Sequence, residues 1–186
     1  MKSYRLPKSF HPFLGEKTTW LNIIMLLTFV CLFTGFFVLK FRGDISSLPL
    51  FNQIILYIIL IDLFAGIVAN LFDETRLYYQ EHPKLKRIFV IIHIYPMLIC
   101  LLAGVPILYG LYIYAYLVAA NFILQQIKHI MLQELFVLIF ILGAISIIYQ
   151  MIEVTPFVLT MFGALSIKIL FSFSRHLEPE RKDVRS

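Results

Sequence analysis

The sequence predicts an all-α polytopic membrane protein, a six-transmembrane-helix bundle with both termini cytoplasmic. Three observations carry that expectation. First, 60% of the 186 residues are hydrophobic and 15% charged, against about 45–50% and about 25% in soluble domains. Second, the apolar residues, eighteen Phe among them, collect into six long runs. A globule of this size has no interior large enough to hold them, so the surplus must face lipid. Third, Lys and Arg cluster between alternate runs, as the positive-inside rule requires. Mean hydropathy is +0.86. Disordered, collagen-like and disulfide-scaffold chains are excluded by the same composition. The two Cys lie inside apolar runs and have no metal-ligand spacing.

Residues 1–19 read as a cytoplasmic N-terminal segment bearing Lys2, Arg5, Lys8 and Lys17, with Thr18 and Thr19 placed to cap a helix starting at Trp20. No signal peptide is expected, because the first apolar run is too long for one and no small-residue cleavage site follows it. The single transmembrane domain covers 20–173. Its runs are Trp20 to Leu39, Phe51 to Phe72, Ile88 to Gly104, Leu111 to Ile127, Leu135 to Met151 and Pro156 to Phe173. Each holds roughly 17–22 residues, enough at ~1.5 Å per residue to span the ~30 Å hydrocarbon layer or nearly so. Lipid offers the backbone no hydrogen-bond partners, so each run must be helical. Val105-Pro106 through Tyr109-Gly110 is the only break between the third and fourth runs and predicts a tight hairpin. The loop Asp73 to Pro83 reads as a solvated continuation of the second helix. Thr155-Pro156 supplies a cap and a first-turn proline for the sixth. Residues 174–186 form a charged cytoplasmic tail.

Orientation follows from the basic residues alone. The N-terminal segment, the second loop (Arg76, Lys84, Lys86, Arg87), Lys128 and the tail (Arg175, Arg181, Lys182, Arg185) place thirteen of sixteen on one side. Lys40 and Arg42 lie on the other, and Lys168 within the sixth run. A bacterial plasma membrane is the expected location. The net charge of +5 is then a topology signal with some affinity for anionic membrane lipids. Nucleic acid is not an expected partner, since no segment outside the membrane is large enough to present a basic face.

In a bilayer the informative residues are the polar ones. Asp62, mid-span, costs about 2.5–3.5 kcal/mol on insertion scales and must be turned inward, paired or protonated. Gly66 and Asn70 follow at steps of four and share its face. The small residue admits a neighbouring helix, ion or substrate close to the backbone. His93 lies about 7–8 Å into the third run, and Pro96 is placed to kink it and free a carbonyl. Asn121, Gln125 and Lys128 share a face at the end of the fourth run, with His129 beside them and Glu134 opening the fifth. Asp62, Gly66, Asn70, His93, Asn121 and Gln125 thus make a candidate polar path. Lys168 either snorkels to the interface or reaches inward to Asp62, and with Glu134 it is a candidate ion pair or gate. Tyr149, Gln150 and Glu153 read as an interfacial anchor.

These residues leave several functions open. The leading one is a small-solute or proton-coupled transporter or channel-like protein, in which Asp62 alternates between protonated and charged forms. A second is an intramembrane metal-dependent enzyme acting on lipid, with His93, His129 and Glu134 as weak metal candidates. A third is a haem-binding subunit using His93 and His129. A fourth is a non-catalytic assembly partner of another membrane protein or of a second copy of the chain. No cofactor is expected, although metal and haem stay open. The step of seven from His93 to Cys100 resembles that of membrane-embedded peptide-processing cysteine proteases of similar length. On one helix, however, it holds the Cα atoms ~10 Å apart, too far for a nucleophile–base pair; both Cys31 and Cys100 are expected to pack as small apolar residues. In span count and size the chain is also similar to small vitamin-binding membrane subunits, but it lacks a small-residue docking helix. There is no Gly-rich phosphate loop, HExxH, GxSxG or CxxC pair.

Overall fold

Residues 3–7, 10–151 and 154–171 are described by the computed structural model. Among them, five helices are long and apolar enough to cross a membrane. These are α2 (Trp20–Lys40), α4 (Leu50–Ala69), α6 and α7 as one interrupted span (Pro83–Ile92 and Tyr95–Ala103), α8 (Ile107–Gln126) and α9 (Ile130–Tyr149). A shorter apolar segment follows, α10 (Pro156–Ser166), which runs into a π turn at Ile167–Phe171. The short helices α1 (His11–Leu14), α3 (Arg42–Ser46) and α5 (Asp73–Glu81) complete the helical set. The all-α class fits, and the chain is an integral membrane protein by the length and apolarity of these helices.

The core is built by α4, α7, α8 and α10. Ile113, Leu117, Ala120 and Leu124 recur at helical spacing on one side of α8 and are buried, as are Leu56, Leu60 and Leu63 on α4 and Phe157, Met161, Phe162 and Leu165 on α10. Helix α2 buries only Phe37 and turns Leu27, Leu32, Phe36 and Leu39 outward. Helix α9 does the same with Leu135, Leu138, Leu142 and Ile145. Apolar side chains on both the inner and the outer faces are what lipid as solvent requires.

Several local expectations need correction. The N-terminal segment forms a two-stranded antiparallel hairpin, β1 (Ser3–Arg5) on β2 (Lys17–Thr19), with Arg5 opposite Lys17. Thr19 caps α2 by accepting from Asn22 N–H at 3.3 Å, whereas Thr18 is buried in β2. The loop after α4 does not continue that helix. The chain turns at Asn70–Phe72, Phe72 is extended, and α5 begins afresh. Helix α5 is not merely solvated either, for it buries Thr75 and Tyr79 and receives Asn22 Nδ2 on Glu74 Oε2 at 3.3 Å.

The turn between the third and fourth spans is narrower than its sequence implies. Gly104, at φ 68°, takes the left-handed position that ends α7, and Val105 N–H closes back on Cys100 O at 2.9 Å. Pro106 then precedes α8, so Tyr109 and Gly110 are already helical. Pro156 starts α10 as expected, but the Thr155 side chain makes no capping bond. Cys100 is buried, whereas Cys31 is exposed on α2 rather than packed in the core. Tyr149 and Gln150 are exposed at the end of α9. Glu153 and the tail 174–186 lie outside the described residues.

Candidate functional site

The site forms where α4, the interrupted third span and the π turn meet. Lys168 is fully buried. Its Nζ donates to Asp62 Oδ2 at 2.5 Å and to the Asp62 main-chain carbonyl at 3.2 Å. Snorkelling therefore does not describe Lys168. Its stem lies instead across Gly66, where a Cβ would overlap Lys168 Cε and stand 2.9 Å from Nζ. The missing side chain at 66 is the space the lysine occupies. Asp62 keeps 23% of its side chain exposed, so the pair is sealed at its cation and partly open at its anion.

Aromatic rings wall the pair. Lys168 Nζ lies 5.7 Å from the Phe89 ring centroid and 5.5 Å from that of Tyr95, within range for cation–π attraction. The Tyr95 hydroxyl also lies close to the Asp62 carboxylate. The His93 ring packs 4.0 Å from Phe89 and 5.0 Å from Tyr95, and Tyr79 of α5 stands 5.8 Å from Phe89.

His93 sits at the interruption itself. Pro96 lacks an N–H, and its ring displaces the carbonyl of residue 92, so the helix cannot run through. His93 and Ile94 depart from helical dihedrals (ψ 60° and 15°). The four carbonyls from Phe89 to Ile92 are nevertheless satisfied, as a backbone in lipid demands. Phe89 O accepts from His93 Nδ1 at 2.6 Å, Val90 O from His93 N–H at 3.4 Å, Ile91 O from the Tyr114 hydroxyl at 2.6 Å, and Ile92 O from Ile94 N–H at 2.8 Å. A carbonyl can only accept, so Nδ1 carries the proton and Nε2 of the neutral ring presents a lone pair. That Nε2 is buried without a hydrogen-bond partner and lies 3.9 Å from Asp62 Oδ2.

Asn121 supports the site from α8. Fully buried, it donates through Nδ2 to Ile169 O at 3.0 Å and accepts from Gln125 Nε2 at 2.5 Å. A π turn widens the helix and leaves carbonyls without their usual donors; Asn121 supplies one, immediately beside Lys168.

The other sequence candidates lie elsewhere. Asn70 ends α4, two turns from Asp62, with its Nδ2 buried and without a partner. His129 is exposed and caps α9, its Nδ1 accepting from Leu132 N–H at 3.4 Å. Glu134 borders a cavity of about 260 Å³ with Gln133, Val137, Leu138 and Phe171, and the carboxylate paired with Lys168 is Asp62. The metal set of His93, His129 and Glu134 does not assemble. Among the described residues no three His, Cys, Asp or Glu side chains converge on one point, because His93 is turned towards Asp62 while His129 closes a helix end.

Sequence reasoning missed Phe89, Tyr95 and Tyr79. The signal for the first two was their position, four before and two after His93 around the Pro96 break. It also missed Gln133, whose Nε2 donates to Leu124 O at 2.9 Å and Ile127 O at 3.3 Å and so ties the turn between α8 and α9.

Comparison with protein-family models, with curated proteins and with solved structures finds no match to this chain. Its chemistry must be read from its own residues. These provide a compensated ion pair inside an apolar bundle, a proton-accepting nitrogen beside it, and a broken helix that fixes that nitrogen's direction.

Proposed function

We propose that this chain is a small integral-membrane transporter that couples proton movement to that of a small solute through a centre formed by Asp62, His93 and Lys168. The observation that supports it is the unpartnered His93 Nε2 lone pair, held 3.9 Å from a carboxylate already bonded to a buried ammonium. Ionisable groups at membrane depth, set at an interrupted helix, are the arrangement proton-linked carriers use.

A proton arriving on Nε2 makes an imidazolium that competes with Lys168 for Asp62. The carboxylate then has two cations and one charge to share, the Lys168 contact loosens, and the exposed side of Asp62 becomes the way out. Asn121 and Gln125, and Asn70 further along α4, offer polar footholds for a solute on the side of the N-terminal hairpin. In this reading Pro156–Phe171 is a sixth crossing. The distribution of Lys and Arg supports both termini facing the cytoplasm of a bacterial plasma membrane.

The test is proton entry into proteoliposomes holding a trapped pH-sensitive dye, driven by a potassium diffusion potential. The wild-type protein is expected to carry protons faster than protein-free liposomes. Asp62→Asn is expected to fall to the protein-free rate, and His93→Phe to fall with it. Equal rates for the wild type and Asp62→Asn would remove the ion pair from any transport role.

A further inference from the structure

We propose that the solute taken by this site is a primary ammonium ion, exchanged for the proton of Lys168. The proposal rests on the transport reading above and deepens it by naming the substrate class and the coupling.

Lys168 itself shows what the pocket binds. Its head is a primary ammonium on a short alkyl stem, and the pocket treats it as a ligand. Two acceptors on α4, Asp62 Oδ2 at 2.5 Å and Asp62 O at 3.2 Å, take two of its N–H donors. Two rings, Phe89 and Tyr95, stand over its charge. A bare residue, Gly66, makes room for its methylenes. Carboxylate, aromatic faces and a smooth alkyl groove are the recognition elements for an organic cation. Two directed hydrogen bonds narrow the class further. A quaternary ammonium has no N–H to give Asp62 O and Oδ2, so it would leave both acceptors unanswered.

Charge balance sets the coupling. The pocket holds one anion and one cation. A second cation cannot enter beside charged Lys168 without leaving a net charge in an apolar interior. The balanced step begins with Asp62 as carboxylate bonded to Lys168 as ammonium. The incoming primary ammonium takes the carboxylate, Lys168 withdraws as the neutral amine, and one proton leaves. His93 Nε2, the acceptor nearest the carboxylate, relays that proton on to solvent and returns to the neutral ring, so the pocket again holds one anion and one cation. No oxidant or further reactant is needed.

The groups facing this exchange can be named element by element. Helix α4 contributes Asp62, the interrupted span His93 and Tyr95, and α5 Tyr79 behind Phe89. Helix α8 contributes the uncharged Asn121. Helix α10 contributes Ser166, whose hydroxyl bonds to Phe162 O. On α9, Glu134 borders the cavity beside Phe171.

The test is titration calorimetry of the purified full-length protein in detergent with ethylammonium, tetramethylammonium and ethanol, in phosphate and in HEPES. The difference in heat between these buffers counts protons released. Ethylammonium is expected to bind with release of one proton, and its affinity to rise about tenfold per pH unit where that proton is lost in full. Tetramethylammonium and ethanol are expected not to compete. Lys168→Met is expected to bind ethylammonium without proton release and without pH dependence, and Asp62→Asn to bind none. Absence of ethylammonium binding by the wild type, binding without proton release, or equal binding of tetramethylammonium would each overturn the proposal. The wild-type proton count needs no variant to fold. If vesicles carry protons but no amine binds, the substrate assignment fails and the transport reading stands. If amine binds with proton release but vesicles carry nothing, the site stands and the transport reading fails.

Discussion

Removing Asp62 is expected to harm the fold more than removing Lys168, although the two share one bond. At an effective dielectric of about 20, unit charges 2.5 Å apart attract by roughly 7 kcal/mol, and desolvation of the ammonium takes back several kcal/mol of that. The two partners differ in what they face when left alone. In Asp62→Asn a fully buried Lys168 has neither anion nor water and must hold an uncompensated charge or give up its proton to avoid it, the situation that costs about 3–5 kcal/mol. In Lys168→Met the carboxylate, 23% exposed, can turn to water and to the Tyr95 hydroxyl, so the loss is expected to be nearer 1–2 kcal/mol, part of the lost attraction being screened. The double variant Asp62→Asn/Lys168→Met leaves no charge behind and is expected to recover most of the larger loss, giving a coupling of about 3–5 kcal/mol. The assay is reversible unfolding of the four proteins in mixed micelles, read by circular dichroism. Equal single losses, or losses that simply add, would refute the reasoning, because they would mean that the ammonium reaches solvent.

Three further outcomes follow from the same contacts. Gly66→Ala puts a methyl group into the Lys168 stem and is expected to cost about 1–3 kcal/mol through overpacking; in Lys168→Met/Gly66→Ala the cost should shrink, which the same unfolding assay would show. Asn121→Leu removes the donor to Ile169 O and is expected to cost about 1–3 kcal/mol for the carbonyl left unbonded, while Asn121→Gln should retain part of it. Tyr79, on α5, is pushed up from the ordinary tyrosine value, first by its burial and then by the charges of Tyr78 and Asp62. Because the folded value lies above the unfolded one, its contribution is present in full below about pH 10 and is lost as pH rises beyond it. Tyr79→Phe should flatten that alkaline loss of stability, and an unchanged slope would exclude Tyr79 as its source.

Composition and run length made the membrane class and the long helices legible, because lipid as solvent leaves a chain few alternatives. The break in the third span was legible as well, since Pro96 carries a steric rule that acts within its own helix. What sequence could not show is which long side chain goes inward. Lys168 snorkelling and Lys168 pairing with Asp62 have the same local sequence. They differ only in whether Gly66 lies under the lysine stem, and that contact joins residues about a hundred positions apart. His129 illustrates the converse. Its position among Asn121, Gln125 and Glu134 resembled part of a cluster, but a helix beginning at Ile130 needs a cap, and the nearest imidazole supplies it. The N-terminal hairpin was missed because three-residue strands carry too little periodicity to register.

The lysine meets its partner from within a π turn. Lys168, Ile169 and Leu170 are all buried, on a wide inner face that leaves Ile167 and Phe171 turned outward. The turn gives up regular hydrogen bonding, and Asn121 answers one of the carbonyls involved. The broken third span makes the same trade, its carbonyls answered by the His93 ring and Tyr114. Two neighbouring segments thus abandon regular helix at the same place, each repaired by polar side chains, and the space they share is the one holding Asp62 and Lys168. A lysine and an aspartate on straight neighbouring helices can meet without either irregularity. What the break before Pro96 adds is the direction of the His93 ring, whose Nε2 is held 3.9 Å from the Asp62 carboxylate.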